Sequence, residues 1–364
     1  MANIFSERQR LLAISESTYG TDAVEAAFAD GTQDLIYQQH QGSAVDGIRT
    51  IIETAQARSS ASGSKHISVP EAADVASTLL LTGREGSGAG EEAPLYDVFM
   101  SAAGFEKTIV ASTSATYNLA TAQQSAASVY LYHDQDNGQQ RLRQAVGVRG
   151  NIDFVFNNNE AALAEFTGRG KYVNFLSDEA QFFDASTGAA ALRADGTTPV
   201  AARTTGSEIY GNLDPVIVRN ITVTVDGVEL CLSAFNISTN WALVERTCAD
   251  GVSALNEVLL NRPLTGSRPG GSFTFDDSVT ANIDALIQQF EDAEEITFSS
   301  VLTAGDGSAG SARITFAAPK LQIGQLGLGD NSGIVQFDVP FFLNGDFSSL
   351  SADNELTVTY DAVP

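Results

Sequence analysis

Apolar and polar residues alternate with a period of two along much of this chain, the pattern of strands with one face buried. The clearest case is Ile221-Thr-Val-Thr-Val-Asp-Gly-Val-Glu-Leu-Cys-Leu232, where Asp226-Gly227 supplies a hairpin turn between two apolar runs. The same reading predicts strands at 128–133, 141–149, 151–157, 171–176, 232–247, 272–276, 296–302, 312–318, 333–343 and 355–360, separated by Gly, Asn, Asp and Ser clusters. Many short strands predict a mainly β fold, a sandwich or a barrel.

Two segments change period from two to 3.6. Within 93–103, Leu95, Val98, Phe99 and Ala102 share a helical face, with Pro94 near the start and Gly104 just past the end. At about 279–292, Ile283, Leu286, Ile287 and Phe290 fall at helical spacing, with Asp276, Asp277 or Ser278 as cap. Both apolar stripes read as sheet-packing faces, so each helix is expected to cover one sheet.

A chain of 364 residues suits two domains better than one. The order strand, helix, strands recurs in its two halves. Gly150-Asn-Ile-Asp-Phe-Val-Phe156 and Gly333-Ile-Val-Gln-Phe-Asp-Val339 share a glycine, an apolar alternation and a central Phe. Arg58 with Gly63-Ser64 and Arg262 with Gly266-Ser267 precede the respective helices. The expectation is an internal duplication, with β domains at 1–180 and 208–364 joined by a Ser-, Thr-, Gly- and Ala-rich connection at 181–207. Chance likeness of one β pattern to another is the alternative. Loop 83–92 reads as a flexible hairpin tip or interface arm.

Charge and chemistry narrow the function. The 45 Asp plus Glu against 20 Lys plus Arg give a net charge of -25, which repels nucleic acid phosphates and favours solubility at high concentration. No basic and apolar leader opens the sequence, and no run suits a membrane-spanning helix. Cys231 and Cys248 are too few for a disulfide framework and read as small strand hydrophobes. His40, His66 and His133 lie far apart in sequence, without ligand spacing for a metal. His133-Asp134-Gln-Asp136-Asn137-Gly138 lacks the terminal Glu of a calcium loop and reads as a hairpin turn. The glycine-rich stretches 83–90 and 305–310 carry no phosphate-loop Lys. No Gly-x-Ser-x-Gly elbow sits between strand and helix, and Glu91-Glu92, Asp276-Asp277 and Glu294-Glu295 read as solvated acidic pairs. The chain is therefore expected to be a structural protein, not an enzyme, with no cofactor.

Several stretches in order resemble one family. Leu12-Ala-Ile-Ser-Glu-Ser-Thr-Tyr-Gly-Thr-Asp-Ala23 resembles the opening of tail tube (major tail) proteins of long non-contractile-tailed bacteriophages. Pro94-Leu-Tyr-Asp-Val-Phe-Met-Ser-Ala-Ala-Gly-Phe105 is similar to that family's helix ending in Ala-Gly-Phe. Val129–Asp134, Leu142–Phe154 and the closing segment 312–360 resemble its later strands. The resemblance implies tandem tail-tube-type β-sandwich/barrel domains, each with one flanking α-helix, that form a closed inner β-barrel on oligomerisation. It implies self-association into stacked rings, as a trimer with pseudo-sixfold symmetry or alternatively a hexamer. It also implies tape-measure, tail terminator and tail-tip proteins as partners, and genomic DNA passing through without specific binding. The location implied is the virion tail, assembled in the host cytoplasm, without membrane insertion.

Under that reading an acidic lumen repels DNA and lets it slide. Asp153 and Asp338 lie among alternating apolar residues and are expected on the polar strand face, which makes them the candidate lumen-facing acids. Outer solvent or an interface salt bridge is the competing placement, because register decides it. A phage tail-tip, decoration or adhesin-type β-sandwich binding module is the alternative function. It predicts an exposed aromatic patch, for which Tyr130, Tyr132 and Trp241 are the few candidates.

Overall fold

A computed structural model describes residues 4–21, 36–38, 40–53, 66–83, 93–120, 124–135, 140–176, 216–218, 221–225, 228–230, 232–247, 255–262, 268–276, 280–303, 312–331, 334–345 and 354–362. The fold is mainly β and its strand pairing is antiparallel throughout the described ladders. The connection expected at 181–207, residues 84–92 and both cysteines lie outside the described residues. So do Arg58, Gly63-Ser64 and Gly266-Ser267.

The first half builds a ladder from β1 (Ile4–Ser15), β7 (Ala127–Gln135), β8 (Gln140–Asn157), β9 (Leu163–Leu176), β4 (His66–Leu80) and β3 (His40–Glu53), each paired with the next in that order. A short β2 (Ile36–Gln38) pairs with β1 just before β3 begins. Between β4 and β7 lie α1 (Asp97–Ala102) and the hairpin of β5 (Phe105–Val110) and β6 (Ser114–Leu119).

The second half runs in the same order. Here β10 (Ile221–Val225), which also pairs with the short β11 (Val228–Leu230), pairs with β16 (Ile296–Thr303), β16 with β17 (Ala312–Ile323), β17 with β19 (Ile334–Asn344), β19 with β15 (Gly270–Asp276), and β15 with β12 (Ala234–Ser238). The helix α2 (Thr280–Glu291) lies between β15 and β16, as α1 lies between their counterparts β4 and β7. Continuous β8 has its counterpart in β17 followed by β18 (Gly327–Asn331), and β9 in β19 followed by β20 (Thr357–Ala362). A β-bulge falls at the same step in both halves. Ala127 and Val129 face Val148 and Ala145 in the first, and Ile296 and Phe298 face Leu321 and Ala318 in the second. Each places an extra residue on the longer strand and bends it over the core.

This order corrects the residue matching drawn from sequence. Ile152, Phe154 and Phe156 stand on β8, whereas Phe337 and Val339 stand on β19, the counterpart of β9. Both segments alternate because both are inner strands, and alternation reports burial of a face, not position in a fold. The stretch 232–247, expected as one strand, is also broken. It forms β12 and β13 (Ala242–Thr247), with Trp241 turned into the core at the break.

The two halves are joined by continuous hydrogen bonding. β12 adds to β8, from Ala234 opposite Asn157 to Ser238 opposite Asp153, and β20 adds to β6. One apolar core runs through both, so Phe156 of the first half stacks on Phe235 at 5.3 Å and meets Phe316 edge-on at 5.4 Å. Within the same core Tyr96, Tyr117 and Tyr360 meet edge to face, with the Tyr96 and Tyr360 hydroxyls 2.9 Å apart. Helix α1 buries Val98, Phe99, Met100 and Ala102, as its stripe predicts. Gly104 ends it at φ +83, where a Cβ would meet the Trp241 ring at 2.9 Å, so glycine serves both the turn and the close packing. The α2 stripe differs from expectation, because Ile287 is 36% and Phe290 37% exposed.

Candidate functional site

The site is the sheet face opposite the core. Strand alternation sets it: Ile152, Phe154 and Phe156 point inward from β8, so Asp153 and Val155 point to the other face. By the same parity Glu165 and Thr167 of β9, Asn236 and Ser238 of β12, Thr274 of β15, and Gln336 and Asp338 of β19 join them. Asp46 of β3 and Asp74 of β4 extend the face at its far side. Its residues are mostly polar or acidic, interrupted by Val155, Arg169 and the exposed Phe342, which stands in the same row as Asp153.

Both sequence-derived acids are on this face. Asp338 is exposed and accepts from Thr274 Oγ1 at 3.5 Å. Asp153 is half-buried, and burial pushes its carboxyl above the ordinary value of 3.8, with a Ser238 hydrogen bond opposing in part. Three strand steps and four residues along the strand separate the two, about 20 Å at standard sheet spacing. They cannot share a proton or a cation at that distance, and they act on this face only through its summed charge.

Glu165 is the acid that sequence reading missed. It lies directly across from Asp153, and it, not Asp153, occupies in the first half the place Asp338 holds in the second. Its strand begins Leu163-Ala-Glu-Phe-Thr-Gly-Arg-Gly170, whose glycines mask the alternation. Gly150 and Gly168 are required there because a Cβ on either would meet backbone of the neighbouring strand at 2.2 and 2.8 Å respectively.

A separate two-stranded arm, β13 with β14 (Leu255–Asn261), packs against β8 and β9 on this face, with Val258 buried against Ala72 of β4. The buried Arg149 guanidinium fixes it, donating to Val258 O at 2.6 Å, to Ser125 O at 3.3 Å and to Gln124 O, and pairing with Glu257 at 3.1 Å. Tyr19 lies under that guanidinium at 4.5 Å and accepts from Val258 N–H at 2.7 Å. Burial pushes the Tyr19 hydroxyl up to about 12. Gln124 adds a two-way pair with the Leu260 backbone at 3.0 and 3.1 Å. The arm and sheet enclose a cleft of about 360 Å³ lined by Asp46, Asp74, Arg169, Leu243 and Glu245. Arg169 is held between Asp74 and Glu245, which cancels its charge and leaves the face acidic.

Other candidates are not brought together. His40 starts β3, while His66 pairs with Glu53 at the opposite end of that hairpin, about 40 Å away at strand rise. Among the described residues no three His, Cys, Asp or Glu side chains converge to hold a metal. Tyr130, Tyr132 and Trp241 are 2%, 2% and 4% exposed, so they form no aromatic recognition patch. Trp241 instead donates to Ala103 O at 2.7 Å under the Arg262 guanidinium. No protein-family model and no curated protein matches the chain.

Proposed function

We propose that this chain is a structural subunit of a bacteriophage tail tube, whose stacked rings form a conduit for genomic DNA. The observation that carries the reading is the repetition of one pairing order in two halves fused into a single sheet, with Asp153, Glu165 and Asp338 on the face opposite the core. Under it, 1–180 and 208–364 are tandem tube domains, and three chains make a ring of six. The face with Asp153, Glu165 and Asp338 is the wall past which phosphates slide, repelled at every ring. Neither a cofactor nor a catalytic step is part of this function. Tape-measure, terminator and tail-tip proteins are the partners, and the virion tail is its place.

Electron microscopy of the concentrated full chain tests the reading, with rings or filaments expected. Monodisperse monomers at every concentration, together with glycan binding, would replace it with an adhesin-type module. A second test changes the wall. Asp153→Lys with Asp338→Lys should leave subunit folding intact and impair DNA delivery. Undiminished infectivity of such tubes would remove the lumen assignment.

A further inference from the structure

We propose that copies of this chain join head to tail, β3 of one copy adding antiparallel to the outer edge of β18 of the next, in the register that β12 takes on β8 within the chain. The inference rests on the self-assembly part of the proposed function and is independent of the DNA conduit.

The intrachain junction is the template. β12 is the last strand of the second ladder, as β3 is of the first. Yet β12 has a second partner, β8, whereas β3 is described in pairing with β4 alone. The strand equivalent to β8 at this point is β18, described in pairing with β19 alone. Each half thus offers one donor edge and one acceptor edge. One of each is consumed inside the chain, and β3 and β18 are left.

The matched bulges fix the register. Val148 corresponds to Leu321, so Gly150 with Gly168 corresponds to Ile323 with Phe341. Counting along β9 and β19, Glu165 corresponds to Asp338. Their partners then make Asp153 equivalent to Gly327 and Thr78 equivalent to Thr274. One strand further, Gly42 is equivalent to Ala234 and Val45 to Ile237. Within the chain Ile237 opposes Phe154. Between chains Val45 therefore opposes Leu328, and Ala44 opposes Gly329.

Two independent features agree with that pairing. Leu328 is equivalent to core Phe154, which is 0% exposed beneath β12, yet Leu328 is 76% exposed. Val335, on the same side at the same end, is 50% exposed. Apolar residues on the core side of an unpaired strand signal a missing neighbour. On β3, Ser43 N–H donates to Gln9 Oε1 at 3.2 Å, and Arg143 reaches Val45 O at 3.4 Å and Asp46 at 2.9 Å. Long side chains meet these outward groups in the single chain, where a partner strand would supply backbone. Because donor and acceptor edges differ, the contact is heterologous, and its repetition closes a ring or extends a filament.

The test mixes two full-length single-cysteine variants, Ala44→Cys and Gly329→Cys, each with Cys231→Ser and Cys248→Ser. Ala44 lies between the outward-facing Ser43 and Val45, which puts it at a close, non-hydrogen-bonded pair suited to a disulfide. Mild oxidation of the mixture should give a covalent dimer, and each variant alone should give none. Dimers from Ala44→Cys alone, or none from the mixture, would overturn the junction. Wild-type tubes without the mixed dimer leave the tube reading standing and remove this interface. The mixed dimer without tubes does the reverse. Leu328→Asp supplies a second arm: it should leave monomer melting within about 2 °C of wild type, as expected for an exposed position, and abolish oligomers in sedimentation. Wild-type oligomerisation of that variant also overturns the proposal.

Discussion

Replacing Arg149 with methionine isolates what holds the second half's arm against the first half's sheet. Two strands alone are marginally stable in water, so β13 and β14 depend on what grips them. Arg149 is the central grip, with a side chain 5% exposed, three backbone carbonyls as acceptors and Glu257 as ion-pair partner. Methionine keeps length and apolar bulk but donates nothing. The buried Val258 carbonyl then loses its charged donor, a loss of about 1–3 kcal/mol. The half-buried Gln124 and Ser125 carbonyls recover water in part and add about 1 kcal/mol together. Glu257, 23% exposed, loses a partner but retains Arg246 at 3.1 Å, so its contribution is small. Removing the buried charge offsets some of this. The net is about 3 kcal/mol, close to 150-fold in an opening equilibrium. Native-state hydrogen exchange of arm amides should accelerate by about that factor, while β16 and β17 amides change little. Urea unfolding should show the same loss if the arm opens only with the whole chain. A loss below about 1 kcal/mol with unchanged arm exchange would refute the argument, because the bonds would then merely balance the desolvation of the guanidinium.

Two further outcomes follow from the core and the acidic face. Phe156→Ala removes a ring that is 1% exposed between Phe235 and Phe316, and should cost about 3–5 kcal/mol. Calorimetry should show one transition moved down rather than one of two, because the core is shared across the halves; two separated transitions would contradict that sharing. Asp153→Asn tests the buried carboxyl. Its folded pKa is raised above 3.8 by burial, so its stabilising contribution is complete below 3.8 and is lost as pH rises through the folded value. The Asn variant should therefore melt higher than wild type at pH 7 and equally at pH 3, and the opposite ordering would contradict the burial.

The acidic balance, the strand periodicity of segments such as Ile221–Val225 and Ala312–Ile323, and the α1 stripe were determined by sequence alone. These depend on neighbours two to four residues away, which a linear pattern records. So does the parity that puts Asp153 and Asp338 opposite the core. The long β3–β4 hairpin was not legible, because Gly42, Ala44, Gly47, Pro70, Ala72 and Ala73 weaken its strand signal, nor was Gly327-Leu-Gly-Asp-Asn331. Such strands hold their form through ladder partners distant in the chain. Tertiary structure alone decided that Glu165 faces Asp153, that β12 completes β8, and that Arg149 reaches Val258 across 109 positions. Pairing across sequence is chosen by the closure of the whole sheet and core, and no local window contains that information.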